Sequence, residues 1–473
     1  MMGDGLHSRI SRSAVSRALQ KESRGGRIFL ILMFVTLFVD SMPGRGLGIA
    51  PGLSAKNLYL YIICFFIGAR SVMNPYGLRF SDLNVHIPFL IIIGYAFFTL
   101  SIRSIFDPTY NTLEAIKTLK NRELDLYLLM FIFAYLLSCR QDFLRVIRVF
   151  MVFMFIWSFI TLIDFLNIPD LGIVGTHRGR IEGPIGAANQ YGTLLAFLLP
   201  ISIATIPENR PVARWLWRFG ILIFAILLIG TGSRGAYVAT VSGSMFAVFY
   251  LREYMDLRVV GRVAIGGLLT VIVLVIAFLV FNPEFFQSLR DKTATGDLES
   301  ASSGRWAIWG AGFGVMLEAP YSFLVGYGWN TFDNSGIWRS AHSEYVNSYF
   351  ELGVIGLLAF IYLLWSIIQN AKRSIRRAGD DTHRLIISFI IAMFILSVNV
   401  VFVIPYTARS FIWIIIGLMM GVQRTLDQPL RQPMAGTGIS ETADFMRFDE
   451  KRAVNYRGGE RRSFGKQRKA VPK

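Results

Sequence analysis

Long apolar blocks, separated by short polar stretches rich in arginine, constrain the fold of this chain more than any other feature. Each block is roughly as long as an α-helix that crosses about 30 Å of hydrocarbon. Because lipid offers the backbone no hydrogen-bond partners, helices and closed barrels are the structures that cross it. The sequence therefore predicts an all-α fold, a polytopic transmembrane helical bundle of about 12 spans. The blocks begin near Ile28, Asn57, Val85, Leu124, Val146, Ala187, Trp215, Ala236, Val263, Val346, Leu385 and Ser410.

The composition excludes an ordinary soluble protein. Of the 473 residues, 53% are hydrophobic and 17% are charged, which is more apolar surface than one soluble core can bury. The two cysteines, Cys64 and Cys139, lie in apolar blocks, so neither a disulfide framework nor a zinc site is expected. The formal net charge is +17, but no basic face interleaved with aromatic residues accompanies it, so no nucleic-acid partner is predicted.

Lysine and arginine predict the orientation of the bundle, because they are enriched in cytoplasmic loops. Placing both termini in the cytoplasm puts most of the 48 Lys and Arg residues on the inner side. One predicted outer loop, from Arg103 to Glu123, carries four basic residues against this rule, and an amphipathic surface helix is one explanation. The predicted segments are a basic cytoplasmic N-terminus (1–27), spans one to nine (28–281), a large periplasmic loop with short interfacial helices (282–345), the last three spans (346–422) and a disordered basic cytoplasmic tail (423–473).

The stretch "HSEYVNSYFELG" places a histidine at the entrance to an apolar span. On a continuous helix His342, Tyr345 and Gly353 would face the same way, since His342 and Gly353 are about three turns apart. His342 would lie at the outer end of that helix or in the loop before its first turn. Gly353 would then permit close approach by another helix. The alternative interpretation is an interfacial histidine beside the tyrosines of an aromatic belt.

The opposite face of the same stretch carries Glu344, Asn347 and Glu351. Glu351 lies roughly two turns into the span, where a carboxylate needs a partner or water. This face is therefore expected to line a wet cavity. Glu344 could orient the imidazole of His342 or act as the base itself, and the sequence does not separate these two roles.

Arginines mark three further stretches on the predicted outer side. Arg234 lies in "TGSRGA", a turn between two apolar blocks, where backbone N–H groups and a guanidinium suit an anion. Arg305 opens an aromatic helix that is expected to lie along the membrane surface, and Arg180 lies in another outer loop, "THRGRIEGP". The plainer interpretation is a snorkelling arginine for Arg234 and a solvated loop residue for Arg305. Together with His342, they provide charge that binds diphosphate and a base that accepts a proton.

Five short motifs occur in the order found in the O-antigen ligase and polymerase family, and the sequence resembles that family over about residues 183–360. The motifs are "GPIGAANQYG", "TGSRGA", "SGRWAIW", "VGYGWNTF" and "AHSEYVNSYFELGVIGLLAF". The members of this family are bacterial inner-membrane glycosyltransferases of the C-type fold. They act on the periplasmic side without a metal and invert the anomeric centre.

The resemblance implies roles for individual residues. Arg234 and Arg305 would bind the substrate diphosphate, and His342 would be catalytic. Glu344 is the second predicted catalytic residue, on the chemistry given above and not on the resemblance. The supporting residues would be Tyr345, Gly353 and Arg180. The spacing between His342 and Gly353 matches the family pattern, whereas Ser343 departs from it, since members often carry asparagine there.

The implied reaction uses an undecaprenyl-diphosphate-linked glycan as donor. The acceptor is a second glycan in a polymerase, which is slightly preferred, or lipid A-core in a ligase. The sequence contains no Gly-rich nucleotide loop and no His/Cys metal cluster, so no cofactor is predicted. Membrane lipid, a flippase and a chain-length regulator are the other expected partners. A flippase or transporter of lipid-linked oligosaccharide, or a receptor without catalysis, is the alternative from another class; a transporter would carry polar groups near the bilayer midplane and symmetric halves.

Overall fold

Helices form nearly all of the regular structure that the computed structural model describes. The described residues are 48–50, 53–73, 84–135, 137, 140–166, 176–177, 180–207, 210–251, 304–332, 340–405 and 408–427. The helices are α1 (Ala55–Met73), α2 (His86–Phe106), α3 (Thr112–Leu119), α4 (Asp125–Tyr135), α5 (Arg140–Phe165), α6 (Ala188–Ala204), α7 (Pro211–Gly230), α8 (Arg234–Leu251), α9 (Arg305–Glu318), α10 (Ser322–Val325), α11 (Glu344–Ile375), α12 (Asp380–Asn399) and α13 (Arg409–Asp427). Two short antiparallel hairpins pair β1 (Gly48–Ala50) with β2 (Leu53–Ser54) and β3 (Thr176–His177) with β4 (Arg180–Ile181). All of these elements belong to the unit Met1–Asp427, and a second unit, Gln428–Lys473, lies outside the described residues.

Five of the described helices are long and apolar enough to cross a membrane, which makes the chain a multi-pass membrane protein. They are α2, α5, α7, α11 and the part of α12 from Thr382 to Asn399. Every other predicted block that falls in the described residues overlaps a helix. The blocks predicted near Ile28 and Val263, the N-terminal segment 1–27 and nearly all of the predicted tail lie outside the described residues. The count of about 12 spans and the periplasmic loop therefore stay predictions.

The helices pack around a core of large aromatic side chains. α13 packs along α4, α12 contacts both α6 and α8, and α11 packs on α2. Phe89, Phe133 and Phe389 are completely removed from solvent. On α2, Phe97 and Phe98 are exposed instead, as expected where a helix turns one face to protein and the other to lipid.

α11 is broken at Gly353, where φ is 62° and ψ is −161°. This conformation is available to glycine and almost to no other residue. The carbonyl oxygens just before the break find partners in the glycine-rich turn after α10: the Tyr327 N–H donates to Phe350 (2.7 Å) and the Gly328 N–H donates to Glu351 (3.0 Å). The turn therefore satisfies backbone groups that the break leaves without helical partners.

His342 lies in the segment before the first turn of α11, one of the two placements that the sequence allowed, so no continuous helix joins it to Gly353. α11 begins at Glu344, so His342 precedes it, and the break at Gly353 ends the regular helical spacing. The close approach predicted at Gly353 is made by the single-turn helix α10 and the turn after it. A Cβ added at Gly353 would press on the carbonyl oxygen of Leu324 and lie 2.5 Å from the nitrogen of Gly326.

The basic residues of the predicted outer loop 103–123 are each paired with a carboxylate. The pairs are Arg103–Asp107 (3.5 Å), Lys117–Glu114 (3.6 Å), Lys120–Asp125 (3.2 Å) and Arg122–Glu344 (3.3 Å). This segment is helical, because α3 runs through a π-helical turn (Lys120–Leu124) into α4.

Candidate functional site

A cavity of about 300 Å³ lies where the segment before α6, the residues before α11 and the segment after α12 meet. Arg180 and His342 both line it. The remaining lining residues are Glu182, Gly186, Ala187, Ala188, Asn189, Gln190, Ser340, Val403 and Ile404. The fold therefore brings together two predicted site residues that lie far apart in the sequence.

Arg180 is held in the cavity wall by two hydrogen bonds. Its Nε donates to the carbonyl oxygen of Thr231 (2.8 Å), and its Nη2 donates to Oδ1 of Asn189 (2.7 Å). Thr231 lies in the turn between α7 and α8, just before Arg234, and Asn189 lies in the first turn of α6. Arg180 thus connects the cavity to the turn that carries Arg234.

Three guanidinium groups lie close enough to influence one another at this end of the bundle. Burial, followed by the positive charges of Arg234 and Arg180, lowers the pKa of Arg305 below its ordinary value. Burial also lowers the pKa of Arg180, and the charge of Arg234 adds to that effect. Like charges held together and partly out of water favour an anionic ligand, because the ligand relieves their repulsion.

His342 is an exposed residue between two buried neighbours, Ala341 and Ser343. Its backbone has a left-handed φ of 51°, and its N–H donates to Oγ of Ser340 (3.2 Å). Partial removal of the side chain from water and the positive charge of Arg305 lower the pKa of His342 below its ordinary value. The imidazole is therefore neutral at neutral pH, which is the form that accepts a proton.

Glu344 lines a different, smaller cavity from His342. Its carboxylate is paired with Arg409 and with Nη2 of Arg122 (3.3 Å). Nη1 of the same Arg122 pairs with Glu351 (3.4 Å). The described contacts of the Glu344 carboxylate are therefore with two guanidinium groups, and they do not include the imidazole of His342.

The acidic face predicted for α11 lines this second cavity, whose volume is about 50 Å³. Asn347 is 1% exposed, and neither polar atom of its side chain has a hydrogen-bond partner among the described residues. A cavity of this size holds a few water molecules, which would supply those partners. The acidic face therefore lines a cavity, as the sequence predicted, and its hydration stays a prediction.

Tyr345 does not line the cavity that holds His342. Its hydroxyl donates to the carbonyl oxygen of Ser397 (3.0 Å), and its ring packs edge-on against Phe360. The hydrogen bond joins α11 to α12, whereas the packing against Phe360 lies within α11.

Most of these residues lie between the end of α7 and the first half of α11. Residues 219–361 match the O-antigen ligase family model. Arg234, Arg305 and His342 all fall within the matched segment, and Arg180 precedes it. The resemblance to the O-antigen ligase and polymerase family is thereby confirmed over this part of the chain. No curated protein matches the chain.

The sequence did not identify Arg122 and Arg409 as site residues. Arg122 belongs to the loop whose basic residues contradicted the predicted orientation, and Arg409 comes just before the last apolar block. A carboxylate inside a span needs a partner or water, so Glu351 was the one signal in the sequence that pointed toward such a partner. No O-antigen ligase motif quoted above contains either arginine.

Substitution of Arg305 by glutamine is expected to raise the pKa of His342, because it removes a positive charge that disfavours the imidazolium. The measurement is an NMR titration of labelled histidine, with the His342 signal assigned from its loss in His342→Gln. Arg218→Gln is the control, because it removes the same charge from an exposed position on α7. An unchanged or lower pKa in Arg305→Gln would show that the two groups do not interact.

Proposed function

We propose that this protein is a glycosyltransferase that takes a glycan from an undecaprenyl-diphosphate carrier and joins it to a second glycan, as a polysaccharide polymerase. The observation that carries the proposal is the cluster of Arg180, Arg234 and Arg305, whose charges act on one another beside the His342 cavity. A cavity of about 300 Å³ is at the lower end of the range for small-molecule sites. The O-antigen ligase match supports the same class of reaction.

In the proposed reaction an acceptor hydroxyl oxygen attacks the anomeric carbon of the donor sugar. The new C–O bond forms as the bond from that carbon to the diphosphate oxygen breaks, and the bonding electrons leave with the diphosphate. Arg180, Arg234 and Arg305 stabilise the developing negative charge. His342 accepts the proton of the hydroxyl. A single displacement inverts the anomeric centre, and the three guanidinium groups supply the positive charge, so the mechanism requires no metal.

We further propose that the site faces the periplasm, in the bacterial inner membrane, with both termini in the cytoplasm. Basic residues gather at the far ends of the helices that begin at the site, as in the last turn of α11 (Lys372 and Arg373) and the last turn of α13 (Arg424). That asymmetry supports the orientation, because cytoplasmic ends are enriched in lysine and arginine. A flippase and a chain-length regulator would then be its working partners.

Two alternatives each have an observation in their favour. A ligase that transfers finished glycan to lipid A-core is favoured by the description of the matching family model. A flippase of lipid-linked oligosaccharide is favoured by the charged residues buried within the helices, such as Arg122 and Glu351.

The direct test supplies purified protein in detergent with an undecaprenyl-diphosphate-linked glycan and EDTA. We expect longer glycan and released undecaprenyl diphosphate. Arg305→Ala is expected to slow this transfer about 100-fold or more, because one group that stabilises the departing charge is lost. Arg218→Ala, an exposed arginine on α7, is the control and should match the wild type. If the lipid-linked glycan crossed the membrane of sealed vesicles but no glycan was transferred in detergent, the protein would be a flippase and not a glycosyltransferase.

Deletion of the gene separates polymerase from ligase. Loss of long chains, with single repeats still attached to lipid A-core, is expected of a polymerase. Long lipid-linked chains that accumulate without reaching lipid A-core would identify a ligase.

A further inference from the structure

The backbone at His342 is strained and is anchored on both sides. A φ of 51° is uncommon outside glycine and persists only where the surrounding structure enforces it. Before His342, the carbonyl oxygen of Ala341 accepts a hydrogen bond from Nε1 of Trp309 (2.8 Å). After it, the N–H of Glu344 donates to the carbonyl oxygen of Val400 (2.9 Å). His342 is thus the exposed residue between two fixed points.

The second anchor is reinforced by the side chain of Glu344. Glu344 is 5% exposed, and its carboxylate pairs with Arg409 and Arg122, which are 6% and 7% exposed. Each of these buried charges requires its ion-pair partner, because removal of one partner leaves the other charge buried and uncompensated. Glu344 therefore cannot rotate away from the arginines, and the first turn of α11 is fixed with it.

The same two arginines connect α11 to three other segments. Arg409 begins α13, and its Nη1 donates to the carbonyl oxygen of Arg122 in the π-helical turn (3.4 Å). Arg122 also pairs with Glu351 and lies over the indole of Trp329, with its guanidinium carbon 5.1 Å from the ring centroid. Trp329 follows the glycine-rich turn whose N–H groups donate to the carbonyl oxygens just before the break in α11. These contacts meet at Glu344, two residues from His342.

We propose that Arg122 and Arg409 are positioning residues for His342 and that they act through Glu344. The proposal rests on the proposed function, since it takes His342 as the base for glycosyl transfer. Neither arginine lines the cavity of His342, so neither is expected to contact the donor there. Their loss should therefore displace the imidazole, lower kcat and leave KM for the lipid-linked donor unchanged.

The test compares Arg409→Gln with Arg409→Lys, because lysine keeps the charge beside Glu344 and glutamine removes it. Arg409→Gln is expected to lower kcat about 10- to 100-fold, the effect of a small misplacement of a reacting group. Arg409→Lys should recover part of that loss. The matched control is Arg424→Gln, because Arg424 is equally buried, on the same helix, but donates to Leu137 at the other end of the bundle.

A second readout reports on His342 without any glycan. Carbethoxylation of His342 by diethyl pyrocarbonate, followed by mass spectrometry of its peptide, should become faster in Arg409→Gln, because the imidazole is less confined. His383 in the same protein provides the internal reference. Arg424→Gln should leave the reactivity of His342 at the wild-type rate even where it lowers stability.

Distinct results overturn the inference and the proposed function. Wild-type kcat and wild-type His342 reactivity in folded Arg409→Gln would overturn the inference. Equal losses of kcat in Arg409→Gln and Arg424→Gln, with His342 reactivity unchanged in both, would assign the arginines a purely structural role. Where Arg409→Gln does not fold, Glu344→Gln carries the same expectations, since it keeps an acceptor oxygen in place. A wild-type protein without transfer activity would instead overturn the proposed function, and His342 reactivity would still test the positioning.

Discussion

Replacement of His342 by alanine is expected to slow glycosyl transfer about 10²- to 10⁴-fold, because the acceptor hydroxyl then loses its proton without a general base. The side chain is exposed on the cavity wall, so its removal leaves no hole in the core. The variant should therefore fold and reach the membrane. The measurement is kcat of the purified variant with a lipid-linked donor.

The pH profile provides an independent check on this role. The pKa of His342 lies below its ordinary value, so the wild-type rate should fall with acidification at a lower pH than an unperturbed histidine would give, as the imidazole becomes protonated. That acid limb should be absent from the residual activity of His342→Ala. His383→Ala, in the first turn of α12, is the control and should behave as the wild type. Normal glycan formation by His342→Ala would place the base elsewhere.

The sequence predicted the helices well because hydropathy is a local property. A run of apolar residues long enough to span lipid must satisfy its own backbone hydrogen bonds, and a helix does so without help from distant residues. The break at Gly353 could not be predicted in the same way. Glycine also fits a helix interior, and the apolar sequence continues on both sides. Only the distant turn at Tyr327 and Gly328 shows why the helix opens there.

The candidate site was predicted in part, for a related reason. Motif order indicated Arg234, Arg305 and His342, because the resemblance covers the segment that contains them. The partner of Glu344 could not be predicted, since Arg122 lies 222 residues earlier in the chain. Both halves of that ion pair were nevertheless visible as anomalies. Glu344 was an acidic residue at the start of a span. Arg122 was a basic residue in a predicted outer loop, where few basic residues are expected.

Gly353→Ala is expected to lower the free energy of unfolding by about 3 kcal/mol or more. Alanine cannot adopt the backbone conformation at this position, and its Cβ would meet the backbone of Leu324 and Gly326. The measurement is the melting temperature of the purified protein. Gly94→Ala is the control: its Cβ would meet nothing within 4 Å on α2, and alanine is the better helix former. A wild-type melting temperature for Gly353→Ala would show that α11 runs unbroken through this residue.

Gly326 is the other half of the same contact, and a double-mutant cycle follows from it. With φ at 87°, a Cβ on Gly326 would press on the carbonyl oxygen of Glu351, so Gly326→Ala is also expected to be destabilising. Either alanine alone should separate the turn from α11. The double variant should therefore lose less free energy of unfolding than the sum of the losses in the two single variants. The same separation displaces Glu351 from Arg122, so kcat should fall further than the loss of folded protein explains. Fully additive effects on stability would mean that the two glycines serve separate contacts and that the break at Gly353 does not hold the turn.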